Sequence, residues 1–345
     1  MRKVVIHAAG GHDRLKLEEH PDPVASEGEV VVRVAAAGVN FADTAVRMGL
    51  YDSAKEFVGW PITPGFEVAG DVLAVGAGVT RFKTGDRVLA VTLFGGYSSR
   101  VVVPQHQVFA CPKDLEFAQA AGLPAVFLTA YYALFELCKL RPGATVLVHS
   151  AAGGVGGSLL QLCKHAGIDT VGIVGGSKKI ETAQRMGATH VIDKSSEDLW
   201  ARAGEIAPKG YDVVLDANGA ETLKQSYQHV KSAGRLVVYG FHTMMPRAGG
   251  KPNWLRLAYD FLRTPRFNPF DMLAHNKSVM AFNLSYLFNE TALLEEAMGH
   301  TLGLFEQGKL VLPDVTRFSV EKVAEAHQAI ESGTTVGKLV LTFGG

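Results

Sequence analysis

The feature that most constrains the fold of this chain is a regular alternation of buried strands and helices that begins after Pro112. The strand pattern ATVLVHS leads into the helical pattern GSLLQLCKHAG, and the alternation continues through DTVGIVGG, KKIETAQRMGA, HVID, YDVVLDA, ETLKQSYQHVKSA and GRLVVYGF. Consecutive parallel strands need a long crossover connection, which a helix provides. The alternation therefore predicts an α/β fold with a doubly wound parallel sheet.

The part of the chain from Val4 to Val103 has a different pattern. It carries short β-rich runs separated by glycine, such as EVVVRVAAAGVN, EVAGDVLAVGAGV and DRVLAV. Such runs are typical of an all-β or barrel-like region. Because 345 residues exceed the size at which one hydrophobic core normally stops growing, we expect two domains.

The charge balance limits the classes of partner. The chain has 34 basic and 34 acidic side chains, and 47% of its residues are apolar. A balanced chain has no overall field that would attract nucleic acid or an anionic membrane. We expect a soluble globular protein with no nucleic-acid partner, in which any recognition by charge is local.

The cysteines and the N-terminus indicate the compartment. Cys111, Cys138 and Cys163 are too few and too widely spaced for a zinc ribbon, a redox pair or a disulfide framework. The N-terminal residues lack the apolar run of a signal peptide, so a cytoplasmic protein is expected. The apolar stretch from Phe117 to Cys138 contains a proline and a glutamate, which predicts a buried helical segment rather than a membrane span.

A glycine-rich turn joins the first strand of the alternating region to its helix. Read against the dinucleotide-binding pattern G-x-G-x-x-G, the residues from Ala151 to Gly156 match except that alanine replaces the first glycine. Such a turn lets the backbone approach a pyrophosphate, which the helix N-terminus then binds. The alternative is a tight strand-to-helix turn with no ligand.

The end of the second strand indicates which dinucleotide is bound. NAD-binding units carry an acidic residue there for the ribose hydroxyls, whereas this chain has Gly175, followed by Gly176, Ser177 and two lysines. A hydroxyl and cations suit a ribose 2′-phosphate, so NADPH is favoured over NADH. Lys194, after the third strand, would add a cation. The alternative is that these lysines are only solvated surface charges.

Six segments lie in a characteristic order along the whole chain: Gly38 to Asp43, Pro64 to Glu67, Lys83 to Val88, Leu128 to Ala130, His149 to Gly156 and Val336 to Lys338. Together they resemble the medium-chain dehydrogenase/reductase superfamily, specifically its zinc-free quinone oxidoreductase branch and, within it, the subgroup related to the vesicle amine transport protein. The subgroup is indicated by the long segment GFHTMMPRAGGKPNWLRLAYDFLRTPRFNP.

The resemblance implies a specific architecture. It implies a GroES-like β-barrel substrate domain made from residues 1–124 and 290–345 around a Rossmann NADPH-binding domain of residues 125–289. It places the active site between the two domains.

The resemblance also bears on metal content. The zinc enzymes of the superfamily have their catalytic ligands at the positions of Asn40, Phe66 and the region of Leu123. Phenylalanine cannot coordinate a metal, and the segment that carries the structural zinc in those enzymes contains no cysteine here. We therefore predict that the protein has no zinc.

Without a Lewis acid, reduction of an electron-poor C=C bond is easier than oxidation of an alcohol. We expect a zinc-independent NADPH-dependent oxidoreductase that acts on quinones or α,β-unsaturated carbonyls. By resemblance, Asn40 and Tyr51 would be the catalytic residues that face the substrate and nicotinamide. Asp43 matches a carboxylate that supports the metal site in zinc enzymes, and here we expect it to pair with an arginine.

The remaining site residues also follow from the resemblance. They would hold the carboxamide, pyrophosphate, 2′-phosphate, adenosine and nicotinamide parts of NADPH, and they are Thr129, Ala152, Gly153, Gly154, Val155, Gly176, Ser177, Lys179, Lys194, Asn218, Gly240, Phe241, Phe282, Asn283 and Lys338. Two positions depart from many relatives, which have a tyrosine at Lys194 and an arginine at Gly333.

Two segments suggest partners beyond a small apolar electrophile. The insertion from Met244 to Asn276 carries cations and aromatic residues such as Arg247 and Trp254, and is either a lid-like loop or a surface for an acyl, lipid or anionic group or a membrane. The apolar run Ser278 to Leu287 predicts an edge strand that pairs in a homodimer. The alternative function is therefore a nucleotide-binding protein of low activity with a lipid- or membrane-associated role.

Overall fold

The computed structural model describes residues 1–246 and 250–344, so Arg247 lies outside the described residues. The chain divides into two compact units. Unit 1 consists of Met1–Leu128, Pro246–Pro252 and Leu284–Gly345, and unit 2 consists of Thr129–Met245 and Asn253–Asn283.

The regular elements of the described residues are numbered in chain order. The strands are β1 (Arg2–Val5), β2 (Lys16–Glu19), β3 (Glu29–Val39), β4 (Glu67–Val75), β5 (Arg87–Val91), β6 (Arg100–Pro104), β7 (Val108–Ala110), β8 (Thr145–Val148), β9 (Asp169–Val174), β10 (His190–Asp193), β11 (Tyr211–Asp216), β12 (Val230–Val238), β13 (Ser278–Ala281), β14 (Val315–Ser319) and β15 (Lys338–Thr342). The helices are α1 (Phe41–Arg47), α2 (Asp52–Phe57), α3 (Phe117–Ala120), α4 (Pro124–Tyr131), α5 (Gly154–His165), α6 (Ile180–Arg185), α7 (Leu199–Ile206), α8 (Leu223–Gln228), α9 (Trp254–Arg263), α10 (Pro269–His275), α11 (Thr291–Glu306) and α12 (Val323–Glu331).

Unit 2 is built on a parallel sheet with the strand order β10-β9-β8-β11-β12-β13. Each neighbouring pair in this sheet is parallel. The central strands are buried apolar runs, as expected for a sheet covered on both faces. The order of the strands reverses between β8 and β11, which confirms the predicted doubly wound α/β fold.

Unit 1 contains a sheet with the order β14-β15-β3-β4-β5-β7, in which β6 also pairs with β3, and a separate hairpin of β1 and β2. The C-terminal strand β15 runs antiparallel to β3, with Leu339 opposite Val39. The last strands of the chain thus complete a sheet that the first hundred residues begin. This sheet confirms the predicted GroES-like β domain.

The apolar stretch Phe117–Cys138 forms α3 and α4, followed by a π-helix at Tyr132–Cys138. Of the described residues, it is the one helical stretch that is long and apolar enough to cross a membrane, and 72% of its most apolar window is buried in the protein.

Two predictions about local structure were wrong. The segment from Met244 to Asn276 was expected to be a lid-like loop, but it contains α9 and α10. Each helix is capped by an asparagine whose side chain accepts a backbone N–H: Asn253 from Arg256 and Asn268 from Phe270. The strand predicted from Ser278 to Leu287 ends at Ala281 and is followed by a 3₁₀ turn at Leu284–Leu287.

Candidate functional site

The residues predicted to bind the dinucleotide cluster at one edge of the unit 2 sheet. They follow the carboxyl ends of its six strands: Ala152, Gly153, Gly154 and Val155 after β8, Gly176, Ser177 and Lys179 after β9, Lys194 after β10, Asn218 after β11, Gly240 and Phe241 after β12, and Phe282 and Asn283 after β13. Because the strands are parallel, their carboxyl ends lie at the same edge. In open α/β sheets the ligand crevice lies at this edge, where the strand order reverses.

The glycine turn after β8 has the shape that a pyrophosphate needs. Gly153 is the N-cap of α5, which begins at Gly154 and presents its unbonded N–H groups. A Cβ atom on Gly156 would lie 2.3 Å from the carbonyl oxygen of Ser150, so no side chain fits there. The turn therefore packs closely on the strand while the start of the helix stays accessible to an anion.

A buried polar network lies behind this turn. The Asn218 amide donates to Nδ1 of His149 at 3.0 Å, and the Ser226 hydroxyl donates to Oδ2 of Asp216 at 2.7 Å. His149 Nε2 lies 3.0 Å from the Ser226 oxygen, so the ring carries its proton on Nε2 and donates it there. Burial lowers the pKa of His149, in keeping with a neutral ring.

The network holds Asn218 in one orientation, because its amide nitrogen is used by His149 and its oxygen accepts from the Ser150 hydroxyl at 3.3 Å. Sequence analysis identified Asn218 but missed His149, Asp216 and Ser226 as its supports. The signal was present, since Asp216 ends β11 and His149 follows β8, and both strands are mostly apolar and buried.

The predicted 2′-phosphate pocket brings two cations together. Burial and the neighbouring charge of Lys194 both lower the pKa of Lys179. A Cβ atom on Gly175 would lie 3.8 Å from Cε of Lys194, so the position where an NAD enzyme carries its carboxylate faces a lysine here. Ser177 and Lys179 bound the short 3₁₀ turn that follows β9. Ammonium groups and a hydroxyl are the donors that a phosphate dianion needs, so this remains the predicted 2′-phosphate pocket.

The remaining unit 2 residues surround the ends of β12 and β13. The ring of Phe282 packs against Tyr132 with 4.9 Å between centroids, and Phe241 is exposed. A Cβ atom on Gly240 would lie 2.9 Å from the Ala217 carbonyl oxygen, so the backbone runs close to the end of β11. Thr129 is half-buried in α4.

The proposed catalytic residue Asn40 belongs to a buried polar cluster in unit 1. Its Nδ2 donates to Oε1 of Glu67 at 2.8 Å, and its Oδ1 accepts from Nζ of Lys338 at 2.6 Å. Lys338 and Glu67 themselves form an ion pair with 2.6 Å between Nζ and Oε1, and their side chains are 4% and 0% exposed. The other Glu67 oxygen accepts the backbone N–H of Ala125 at 2.8 Å, near the start of α4.

Lys338 belongs to unit 1, whereas the other residues predicted to bind the cofactor belong to unit 2. Its cofactor role remains a prediction, whereas its contacts with Asn40 and Glu67 are direct. Neither Glu67 nor its link to Lys338 was singled out in the sequence, because the two residues are far apart along the chain.

Two glycines leave the space that this cluster occupies. A Cβ atom on Gly38 would lie 2.3 Å from Oε1 of Glu67, and a Cβ atom on Gly122 would lie 2.7 Å from Cγ of Lys338. Contacts this short would displace both charged side chains. Glycine at positions 38 and 122 therefore leaves room for the side chains of Glu67 and Lys338.

A second carboxylate, Asp43, holds the segments beside Asn40. It accepts the backbone N–H groups of Asn40 and Gly65, both at 2.8 Å, and the hydroxyl of Tyr97 at 3.0 Å. Burial raises the pKa of Asp43 to about 7, although these hydrogen bonds oppose the change. The arginine that we expected to pair with Asp43 is not among these donors.

Aromatic rings surround Tyr51 in unit 1. Its ring lies 5.7 Å from that of Phe66 and 6.4 Å from that of Phe94, both in edge-to-face geometry, and Phe66 lies 5.1 Å from Phe94. The Tyr51 hydroxyl lies 3.3 Å from Oγ of Ser285. The cluster is therefore a group of inclined apolar rings, with the Tyr51 hydroxyl as its polar atom.

The unit 1 residues do not fit a catalytic zinc. Phe66 stands at a position to which the family resemblance assigns a zinc ligand, and Leu123 lies in the region to which it assigns another; neither side chain has a donor atom. Within residues 1–246 and 250–344, no group of three or more His, Cys, Asp or Glu side chains is arranged to hold a metal ion. In the Asn40 cluster, the Lys338 ammonium group already contacts the Asn40 and Glu67 oxygens that a metal cation would need.

Comparisons with known proteins agree with this architecture. Residues 26–113 match the alcohol dehydrogenase GroES-like domain family, and residues 186–341 match the zinc-binding dehydrogenase family. A synaptic vesicle membrane protein VAT-1 homolog from Rattus norvegicus is 37% identical over 346 residues, which cover 100% of this chain and 84% of that protein. A 2-haloacrylate reductase from Burkholderia sp is 33% identical over 343 residues, which cover 98% of this chain and 97% of that protein.

A solved structure extends the similarity to three dimensions. The Escherichia coli quinone oxidoreductase complexed with NADPH superimposes with a TM-score of 0.86 at 29% identity, over 99% of this chain and 100% of that chain. Both the domain families and the full-length relatives therefore show that this chain belongs to the medium-chain dehydrogenase/reductase superfamily, with VAT-1 homologues and quinone oxidoreductases among its relatives.

Proposed function

We propose that this protein is a zinc-independent reductase that uses NADPH to reduce quinones or α,β-unsaturated carbonyl compounds. The protein is an NADPH-dependent oxidoreductase of its superfamily. The observation that supports the proposed substrate class is the Asn40 amide, a half-buried hydrogen-bond donor held in place by Glu67 and Lys338.

The residues of unit 2 suit NADPH. The turn at Gly153 and the start of α5 would hold the pyrophosphate, and Ser177, Lys179 and Lys194 would hold the 2′-phosphate. When bound, the cofactor supplies a hydride. The chain's own residues then have to orient the substrate and stabilise the charge that develops on it.

Asn40 would provide that stabilisation. When the β-carbon of a conjugated carbonyl accepts hydride, the π-electron pair moves toward the carbonyl oxygen, which becomes an enolate. A fixed N–H donor aimed at that oxygen lowers the barrier because it interacts more strongly with the enolate than with the carbonyl. A proton from water at the α-carbon completes the reduction. When one carbonyl oxygen of a quinone accepts the hydride, the electron pair moves to the other oxygen, and a proton from water on that phenolate gives the hydroquinone.

The aromatic cluster supports a flat, apolar substrate. Tyr51, Phe66 and Phe94 would contact such a ring, and the Tyr51 hydroxyl would give a second donor. Two relatives are named for chemistry of this kind, as a quinone oxidoreductase and a 2-haloacrylate reductase. No step of the proposal needs zinc, in keeping with the lack of a donor atom on Phe66.

The test is oxidation of NADPH by the purified protein with a panel of quinones, enones and enals. Turnover with a member of the panel, by protein whose metal content is far below one zinc per chain, is the expected result. One tightly bound zinc per chain whose removal abolishes turnover would contradict the zinc-independent mechanism.

A second function has one specific observation in its favour. The helices α9 and α10 expose large apolar side chains, among them Leu255, Leu262 and Phe270, which are 86%, 78% and 81% exposed. Arg256 and Arg263 lie on the same stretch, as in helices that bind membrane surfaces. NADPH binding without turnover, together with flotation on vesicles of phosphatidylcholine and phosphatidylserine that Leu255→Ser weakens, would favour this role over the reductase.

We also propose a cytoplasmic homodimer. The three cysteines are free and buried, in keeping with a reducing compartment. β13 is the last strand of its sheet, and an unpaired strand edge can join that of a second copy. Sedimentation at micromolar concentration tests this: a single species of twice the chain mass is expected, and a monomer would contradict it.

A further inference from the structure

We propose that Glu67 and Lys338 are positioning residues that lock the Asn40 amide with one N–H free for the substrate oxygen, and that the Lys338 charge strengthens this N–H as a donor. This inference rests on the proposed reductase function. It assigns Lys338 to the substrate side of the reaction, whereas the family resemblance suggested a cofactor contact.

The orientation of the Asn40 amide follows from the chemistry of its neighbours. A lysine ammonium can only donate hydrogen bonds, so the atom 2.6 Å from Lys338 Nζ has to be the amide oxygen. The nitrogen, 2.8 Å from Oε1 of Glu67, then donates one of its two hydrogens to the carboxylate. The second hydrogen remains as the donor that this half-buried side chain can present.

Burial of the Glu67–Lys338 ion pair costs free energy. Two buried charges lose their hydration, and an apolar pair of the same volume is often at least as stable. Glu67 recovers part of the loss from the Ala125 N–H and Lys338 from the Asn40 oxygen. Stability alone therefore gives little reason for the pair, whereas control of Asn40 gives a direct one.

The charge of Lys338 also changes the strength of the donor. A cation bonded to the amide oxygen draws electrons from the nitrogen, which makes the remaining N–H more positive, and hydrogen bonds in such a chain reinforce one another. As negative charge develops on the substrate oxygen, the positive charge lies one amide group away. A preorganised charge of this kind stabilises the transition state more than the ground state.

The experiment compares Lys338→Met, Glu67→Gln and the double variant with the wild type and with Glu331→Gln. The last is a matched control, because Glu331 is also fully buried in unit 1 and ion-paired, with Arg47, but does not contact Asn40. For each protein we would measure kcat and KM for 1,4-naphthoquinone, the Kd of NADPH, and the side-chain ¹⁵N–¹H signals of Asn40, identified as the pair missing from Asn40→Ala.

We expect Lys338→Met and the double variant to lose about a hundredfold in kcat, with the Kd of NADPH within about twofold of the wild type and the Asn40 signals shifted or broadened. Glu331→Gln should keep kcat within about twofold and leave those signals in place. The double variant removes both charges, so it remains informative if Lys338→Met, with an unpaired buried carboxylate, fails to fold.

Two results would overturn the inference. One is a folded Lys338→Met or double variant with wild-type kcat and unchanged Asn40 signals. The other is a loss confined to NADPH affinity, which would return Lys338 to the cofactor. A wild-type protein that turns over no electrophile refutes the proposed function instead, and the Asn40 signals then still decide whether Glu67 and Lys338 hold the amide.

Discussion

Nζ of Lys338 lies 2.6 Å from Oδ1 of Asn40, although the two residues are 298 positions apart. Asn40 follows the end of β3, and Lys338 begins β15, whose start pairs with the end of β3 because the two strands are antiparallel. The return of the C-terminal strand to the first sheet is therefore what brings the ammonium to the amide. The polar cluster around Asn40 therefore depends on the strand pairing of unit 1.

Asn40 is predicted to be the donor to the substrate oxygen. Replacing it with alanine should lower kcat by about 10² to 10³, the range for loss of one oxyanion donor. Steady-state kinetics with NADPH and 1,4-naphthoquinone measures this. Asn268→Ala is the matched control, since Asn268 also precedes a helix but caps α10 in unit 2. Equal kcat values for Asn40→Ala and the wild type would remove Asn40 from the mechanism.

Lys179 is predicted to select NADPH over NADH. Because hydrogen bonds to charged groups contribute about 1.5–3 kcal/mol, Lys179→Glu should weaken NADPH binding by about tenfold to a hundredfold or more and NADH binding much less. Fluorescence titration gives both constants. The neighbouring Lys178→Glu has the same change of charge at an exposed position and should alter both constants little. Equal losses for the two nucleotides in Lys179→Glu would indicate a surface charge only.

The buried carboxyl of Asp43 is predicted to make stability depend on pH. Its pKa is raised from 3.8 to about 7 in the folded protein, so the folded state binds this proton more tightly than the unfolded state. The resulting contribution is full below pH 4 and is lost as the pH rises toward 7 and above, with a slope of at most about 1.4 kcal/mol per pH unit.

Urea unfolding of the wild type and Asp43→Asn between pH 4.5 and 8 measures this contribution. The difference in the free energy of unfolding, wild type minus variant, should fall as the pH rises. A difference that is constant across this range would show that the carboxyl does not titrate there.

Arg47 is predicted to stabilise unit 1 through its buried ion pair with Glu331. Its fully buried guanidinium lies 2.7 Å from Oε1 of Glu331 and donates to the carbonyl oxygen of Gly250 at 2.9 Å, while His12 Nε2 lies 2.9 Å from the other Glu331 oxygen. Arg47→Met should lower the free energy of unfolding by about 3–5 kcal/mol, because Glu331 would keep a buried charge without its main partner.

Adding Glu331→Leu to Arg47→Met should restore part of that stability, since the second change removes the unpaired charge. Urea unfolding at constant pH compares the three proteins. A double variant less stable than Arg47→Met by the full cost of a second independent change would show that the two side chains do not act as a pair.

The sequence predicted those features that depend on local patterns. The alternation of buried strands and helices indicated the parallel sheet of unit 2, and the glycines around Gly153 indicated a turn at the start of α5, because periodicity and backbone freedom are local properties. The caps of α9 and α10, Asn253 and Asn268, were also local signals, and overlooking them led to the prediction of a lid-like loop.

The polar clusters could not be predicted in the same way. The contact of Lys338 with Asn40 depends on strand pairing between the two ends of the chain, and the support of Asn218 by His149 and Ser226 depends on neighbouring strands and the helix that follows them. A residue type indicates which hydrogen bonds a side chain can make, but only the fold determines the partner. The sequence therefore identified Asn40 and Asn218 without their supports.

The most direct test of the account is the rate of NADPH oxidation by zinc-free wild-type protein in the presence of quinones, enones and enals. The account predicts saturable turnover of at least one quinone or α,β-unsaturated carbonyl, with NADPH preferred to NADH. Tight binding of NADPH with no turnover of any member of the panel would contradict it.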